Sequence, residues 1–273
     1  MSEEIEYQIN HSMASLQEKP SVPVPAATVM LVRDHNEKIE VFMLKRAAKT
    51  NFGGAWVFPG GKLDADDDIA ELADICQGLN DVEASKKLNI NSGGIIYWVA
   101  CIRECFEESG ILLAYRSDGK LVNKTTKHET KILSETRTKL LKGDLVFLKM
   151  LKELNMKLAT DQLAYISHWI TPTIEKRRYN TRFFVAKSPN QPANHDGHEG
   201  VDSKWISPQE ALKMGKAGTF PIIMPTIKSL EFILQFHSTK ELLENNKSKK
   251  SNGIPKFEPQ FIIEDGKPKL VCA

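Results

Sequence analysis

Cysteine is scarce in this chain. Cys76, Cys101, Cys105 and Cys272 are four in 273 residues, too few and too scattered for a disulfide-built fold. That usage fits a reducing compartment. Cys101 and Cys105 stand four apart and would share one face of a helix. With no His or Cys partner at ligand spacing, the pair reads as core packing rather than a metal clasp. Charge of one sign is lacking too. Lys and Arg number 37 against 35 Asp and Glu, a net of +2, so nothing points to nucleic acid or an anionic membrane as partner. The basic run "KSKK" (247–250) is too short to alter that. No apolar run reaches ~18 residues, which excludes an ordinary helical span. The opening "MSEEIEYQINHSM" lacks a secretory pattern, and "KPKLVCA" ends in neither Ser-Lys-Leu nor a prenylation box. The expected location is therefore cytoplasmic. No internal repeat stands out.

What is present is enough apolar sequence, 41%, for one sizeable core. Residues 1–22 are polar, close on "PSVPVP", and read as a loose arm. "AATVMLV" (26–32) and "IEVFMLK" (39–45) flank the turn-forming "RDHNEK", which predicts a hairpin. A glycine-rich stretch with a short aromatic strand follows at 52–64, then polar helix over 65–90. "IIYWVACIRECFEESG" (95–110) is the firmest helix, with Trp98, Ile102, Cys105 and Phe106 on one face and Gly110 placed to end it. "ILLAYR" (111–116) reads as a strand and 128–158 as a helical segment. Strands are expected again at 164–171, 181–187 and 201–206. Ser207, with Glu210 three residues on, caps a short helix, and 222–236 forms another. Residues 241–273 read as a solvated linker and irregular tail. Strands interrupted by helices without a regular βαβ beat favour a mixed α+β fold over a doubly wound parallel sheet.

The chemistry concentrates in "RECFEESGI" (103–111). On a helix Glu104, Glu107 and Glu108 fall within an arc of about 100°. Such a cluster is ordinarily a solvated face. Here the opposite face is strongly apolar, so the helix is packed. The carboxylates also occupy its last turn, where the dipole disfavours negative charge. Upstream, "GGKLDADDD" adds a glycine turn and an acidic loop. Three carboxylates plus a glycine carbonyl suit an open site for a hard divalent cation, with a diphosphate completing its shell.

These two segments resemble the halves of a Nudix box, G-x5-E-x7-R-E-U-x-E-E-x-G-U with U apolar. Arg103, Glu104, Glu107, Glu108 and Gly110 match every fixed position of the second half, with Cys105 and Ile111 at the apolar places. The first half departs. Counted from Gly61, the first Glu is replaced by Asp67, with Asp66 and Asp68 beside it. The seven-residue gap is replaced by an insertion that begins at Asp68 and extends to about residue 94, ahead of the helix. "FPGGKLD" (58–64), "HWITP" (168–172), "RRYNTRFFVA" (177–186) and "KWISPQEAL" (204–212) further resemble the peroxisomal-type coenzyme A diphosphatase branch, over roughly residues 24–235. That branch's upstream Leu-Leu-Thr-x-Arg-Ser run is poorly kept in "FMLKRA", which retains Arg46.

The resemblance implies a Nudix-type α/β/α sandwich over residues 23–240, with a mixed sheet and extra helical insertions. It implies hydrolysis of the diphosphate of coenzyme A or acyl-CoA to 3′,5′-ADP and 4′-phosphopantetheine or its acyl form. Mg²⁺ or Mn²⁺ would be held by Glu104, Glu107, Glu108 and the Gly60 carbonyl, with Glu199 of "HDGHEGVDSKW" as a distal carboxylate or else a plain loop acid. Glu104 is ligand or general base, and Arg103 ties the acidic loop to the helix. Gly61, Asp67 and Gly110 orient the box. Arg46, Lys176, Arg177, Arg178 and Arg182 are the candidate substrate-binding cations, since a 3′-phosphate calls for such charge. Relatives of this kind are often homodimers. The competing readings are a Nudix hydrolase of ADP-ribose, NADH or a dinucleotide, and a non-catalytic nucleotide-binding module.

Overall fold

The computed structural model describes all residues except 1–19, 51, 65–71, 73, 248, 250, 265–266 and 272–273. Most of the N-terminal arm, Asp67 and Cys272 lie outside the described residues.

An eight-stranded mixed sheet is the frame, in the order β10 (Lys256–Phe257), β7 (Ala164–Ile170), β8 (Tyr179–Lys187), β1 (Val24–His35), β2 (Lys38–Arg46), β3 (Trp56–Val57), with β4 (Gly60–Lys62) also on β1 and β9 (Gly200–Ile206) also on β2. The hairpin expected from "RDHNEK" forms: β1 (Val24–His35) and β2 (Lys38–Arg46) run antiparallel. One edge of β1 pairs in parallel with β8 (Tyr179–Lys187) along Val24–Val32. The other edge is divided. Val32–His35 bond β2, whereas Ala26–Thr28 bond the short β4 (Gly60–Lys62). That division carries the glycine segment out of the hairpin and towards the helices. The remaining strands are β3 (Trp56–Val57), β7 (Ala164–Ile170) antiparallel to β8, and β9 (Gly200–Ile206) antiparallel to β2. A separate two-stranded pair joins β5 (Ala114–Tyr115) to β6 (Lys157–Leu158).

Alternation along β1 and β2 builds two cores. Ala27, Val29 and Leu31 face one side with Phe42 and Leu44, where helix α2 (Gly94–Ser109) lies with Trp98, Ile102, Cys105 and Phe106 fully buried. Met30, Val32, Val41 and Met43 face the other, covered by α5 (Pro208–Lys216), α6 (Met224–Ile233) and α7 (Thr239–Lys247). Apolar residues of one pleated strand thus point both ways because helices cover both faces. The result is the expected α/β/α sandwich. Cys101 and Cys105 are free and buried, as core residues.

The described part of the insertion rejoins the frame at the start of α2. Helix α1 (Asp81–Leu88) starts with a capping box, Asn80 with Glu83. Asp81 then accepts from the backbone N–H groups of Gly93 (3.1 Å) and Ile95 (3.0 Å), satisfying donors at the start of α2. The predicted helical segment divides into α3 (Lys127–Leu140) and α4 (Phe147–Glu153).

Two expectations are corrected. "ILLAYR" is strand only at Ala114–Tyr115, because Ile111, Leu112 and Leu113 are consumed in the core beside α2. The linker and irregular tail are largely regular. Helix α7 continues to Lys247, β10 (Lys256–Phe257) joins the sheet beside β7, and β11 (Gln260–Glu264) pairs with β12 (Lys267–Val271). Leu242 and Leu243 are buried, and Phe257 stacks on Trp169 at 4.3 Å. A polar stretch with sparse apolar anchors was enough once the sheet edge was there to receive it. Among the described residues, no helix is long and apolar enough to cross a membrane.

Candidate active site

Helix α2 ends at Gly110, whose φ of 77° and N–H bond to Phe106 O (2.8 Å) close the last turn. Partners from elsewhere satisfy the remaining carbonyls there, and the N–H of Asn194 donates to Ser109 O (2.9 Å). Arg137 of α3 donates to Glu107 O (2.8 Å), Glu108 O (2.9 Å) and Asn194 O (2.7 Å). Arg137 is not among the residues expected from the sequence. It is some 30 positions away, and nothing local marks it.

Strand β4 brings the glycines against this turn. Gly60 N–H donates to Glu108 Oε2 at 2.8 Å. At Gly61 an added Cβ would stand 2.5 Å from both carboxylate oxygens of Glu104, so glycine is required for close approach rather than for a special backbone angle. Arg103 is buried and binds loop to helix. Its guanidinium donates to Lys62 O (2.9 Å) and pairs with Asp64 (3.1 Å), Glu104 (2.9 Å) and Glu107 (3.4 Å). Asp64 was not among the expected partners. Asp67, the residue expected there, lies outside the described residues.

All three box carboxylates are held above the usual carboxylate range. Burial is the largest cause for each. It takes Glu104 to about 7 against the pull of Arg103, raises Glu107, and raises Glu108 well above the usual range, with the charge of Glu104 adding to it. A site with more buried negative charge than its own arginines offset is short of cation. Its donors are oxygens throughout, so the residues fit a hard divalent ion in kind and in charge. Among the described residues no three acidic, His or Cys side chains converge into a ready-made cage, because Glu104 and Glu107 are turned onto Arg103.

Glu199 reaches the same region. It pairs with Arg46 at 3.2 Å and its charge raises both Glu107 and Glu108. Asp196 shapes that loop by accepting from the N–H groups of His198 (2.8 Å) and Gly200 (2.8 Å). His195 bonds Ser203 (3.1 Å), and His198 is exposed.

Glu104 and Glu107 open onto a cleft of about 1210 Å³, lined also by Arg46, Arg177 and Glu199, while Glu108 is buried and outside its lining. The proposed cation cluster is otherwise dispersed. Lys176 is exposed and is not part of the cleft lining. Arg178 is buried, donating to Thr171 O (2.9 Å), Ser21 O (3.0 Å) and Glu258 (3.0 Å). Arg182 is buried, donates to Tyr165 Oη (2.8 Å) and lies over the Tyr97 and Tyr165 rings. Both arginines are spent on internal partners, which corrects their assignment to substrate. Alternation along β8 turns Arg182 inward, and the strand's first residues need Arg178 to tie down the neighbouring chain.

Comparison with known proteins decides the family. The NUDT19 Nudix domain family matches residues 19–231, most of the chain. The chain belongs to that family. It is a Nudix diphosphatase, a hydrolase. Among its relatives, the acyl-coenzyme A diphosphatase NUDT19 of Xenopus laevis is 27% identical over 266 residues, covering 86% of this chain and 70% of that protein. The protein of the same name from Gallus gallus is 26% identical, over 81% of this chain and 68% of its own length. A NUDIX hydrolase from Alicyclobacillus acidocaldarius shares the fold, with a TM-score of 0.66 at 23% identity, over 82% of this chain and 96% of that one. In this Nudix chain, therefore, the long insertion inside the box leaves the frame of the fold in place.

Proposed function

We infer that this Nudix hydrolase cleaves the diphosphate of coenzyme A or an acyl-CoA, giving 3′,5′-ADP and 4′-phosphopantetheine or its acyl form. The observation that carries the reading is the buried, cation-poor carboxylate turn of α2, packed against the Gly60–Gly61 strand at the mouth of a large cleft. Its relatives named acyl-coenzyme A diphosphatase suggest the substrate class.

Glu107 and Glu108, with the Gly60 carbonyl, would hold Mg²⁺ or Mn²⁺, and Glu199 would complete the set from its loop. Such an ion, when bound, neutralises the diphosphate and sharpens a water as nucleophile. Glu104 would serve as the base for the attacking water. Its carboxylate is oriented by Arg103 and given room by the missing side chain of Gly61. Arg103 is a positioning residue: it joins Lys62, Asp64 and the helix so that the carboxylates keep their places. Arg46 steadies Glu199 and, with Arg177, offers positive charge to the substrate where the cleft opens.

The test is a panel of CoA, acyl-CoA, ADP-ribose, NADH and dinucleotides with Mg²⁺ or Mn²⁺, products identified by mass. CoA and its thioesters should be cleaved to 3′,5′-ADP. Preference for ADP-ribose or a dinucleotide would replace the substrate assignment. Binding without turnover of any substrate would favour a non-catalytic module. Glu108→Gln keeps an acceptor for Gly60 N–H, so the fold should stand while turnover falls about 100-fold or more. A Glu108→Gln enzyme with most of its activity would sink the metal assignment.

A further inference from the structure

The two banks of the cleft differ in chemistry. On one, Leu148, Lys149 and Lys152 of α4 line the cleft together with Asp144 and Leu145, which precede the helix. Leu145 is 65% exposed, an apolar side chain left at the rim, and the two lysines are exposed beside it. The other bank, from β7, β8 and the start of α6, is mainly apolar, with Trp169, Ile170, Phe183, Ile223 and Met224 beside Thr181 and Thr226. Arg177 stands exposed nearby.

A purine ring bearing a phosphate monoester combines a flat apolar face with a charge near −2. The α4 stripe offers that same combination, a leucine pair followed by a lysine pair three residues apart. One arginine, Arg177, is a poorer match for a doubly charged group. Arg103, the arginine nearest the box carboxylates, is paired with Glu104 and Glu107, so a phosphate outside the scissile diphosphate needs other cations. The geometry points to the α3–α4 hairpin as the subsite for the 3′-phosphorylated adenosine half of the substrate. Lys149 and Lys152 hold the 3′-phosphate, and Leu145 and Leu148 cover the base. The apolar bank is left for the uncharged pantetheine and acyl arm. This rests on the CoA reading above and replaces the role first given to Arg178 and Arg182.

The experiment compares CoA with 3′-dephospho-CoA in Mg²⁺, for wild type and for Lys149→Ala/Lys152→Ala. Both lysines are exposed, so the variant should fold. In wild type kcat/KM favours CoA. In the variant that preference falls about tenfold, through KM and not kcat, as expected for charged contacts partly shared with solvent. Titration with adenosine 3′,5′-bisphosphate should weaken in step, and titration with AMP much less. An unchanged CoA preference overturns the inference. So does an equal loss on both substrates, or a changed acyl-chain preference with the phosphate preference intact, which would give this bank to the acyl arm. If wild type cleaves neither substrate, the CoA reading itself fails and takes this one with it.

Discussion

Gly61→Ala tests the site at its narrowest point. The new Cβ would lie 2.5 Å from both Glu104 oxygens, well inside contact distance. Glu104 cannot simply swing aside, because it is mostly buried and its carboxylate is held 2.9 Å from Arg103. Overpacking of this kind costs about 1–3 kcal/mol, or a fall in Tm of roughly 3–10 °C for a chain this size. A carboxylate displaced by about 1 Å should lower kcat about 100-fold. Thermal melts and Mg²⁺-dependent turnover would be measured side by side. Gly253→Ala is the control, since an added Cβ there meets nothing within 4 Å and should change stability by less than about 0.5 kcal/mol. The mechanism is checked in a Glu104→Ala background, where the space is open and the cost of Gly61→Ala should largely vanish. Full activity in Gly61→Ala, or the same destabilisation in both backgrounds, would refute the reasoning.

Arg178→Ala should cost about 2–3 kcal/mol and leave KM for CoA unmoved, since Arg178 bonds Ser21, Thr171 and the half-exposed Glu258 rather than the cleft; denaturant melts and steady-state kinetics read the two effects separately. Arg137→Leu strips the donor from Glu107 O, Glu108 O and Asn194 O. It should lower stability by about 2 kcal/mol and reduce turnover as the carboxylate turn loosens, measured by melting and initial rates. His168 is buried beside Asn180, Arg182 and Lys256, and burial first, then the Arg182 charge, lowers its pKa from 6.5 to about 4. Between those values the unfolded chain binds the proton and the native one does not. Stability contributed by neutral His168 is therefore present above pH 6.5 and is lost as pH falls towards 4, by up to about 3 kcal/mol. The difference in unfolding free energy between wild type and His168→Gln, followed from pH 7 to 4, should shift by that sign and order.

The box helix was legible because its evidence is local. A strongly apolar face, a glycine stop and three acids in one turn all fall within residues 95–110, and α2 occupies Gly94–Ser109. The hairpin β1–β2 and the capped α5 were legible for the same reason, each carrying its turn or cap within a few residues. The tail was not. "ENNKSKKSNG" is polar enough for a linker, yet its first residues continue α7 to Lys247 over the face of Met30 and Val185, and β10 follows it on the edge of β7.

The site divides along the same line. Residue types and spacing within 103–111 already determined that this turn carries surplus negative charge on a packed helix, the condition for taking up a hard cation. Which other residues meet that turn was decided by tertiary structure alone. Arg137 arrives from another helix, Asp64 from the glycine loop, and Glu199 from nearly a hundred residues on. Arg178 and Arg182 look like substrate cations in the chain and are buried in the fold. A run of arginines states how much charge is available. Only strand direction and burial say whether that charge faces water, substrate or the protein's own carbonyls.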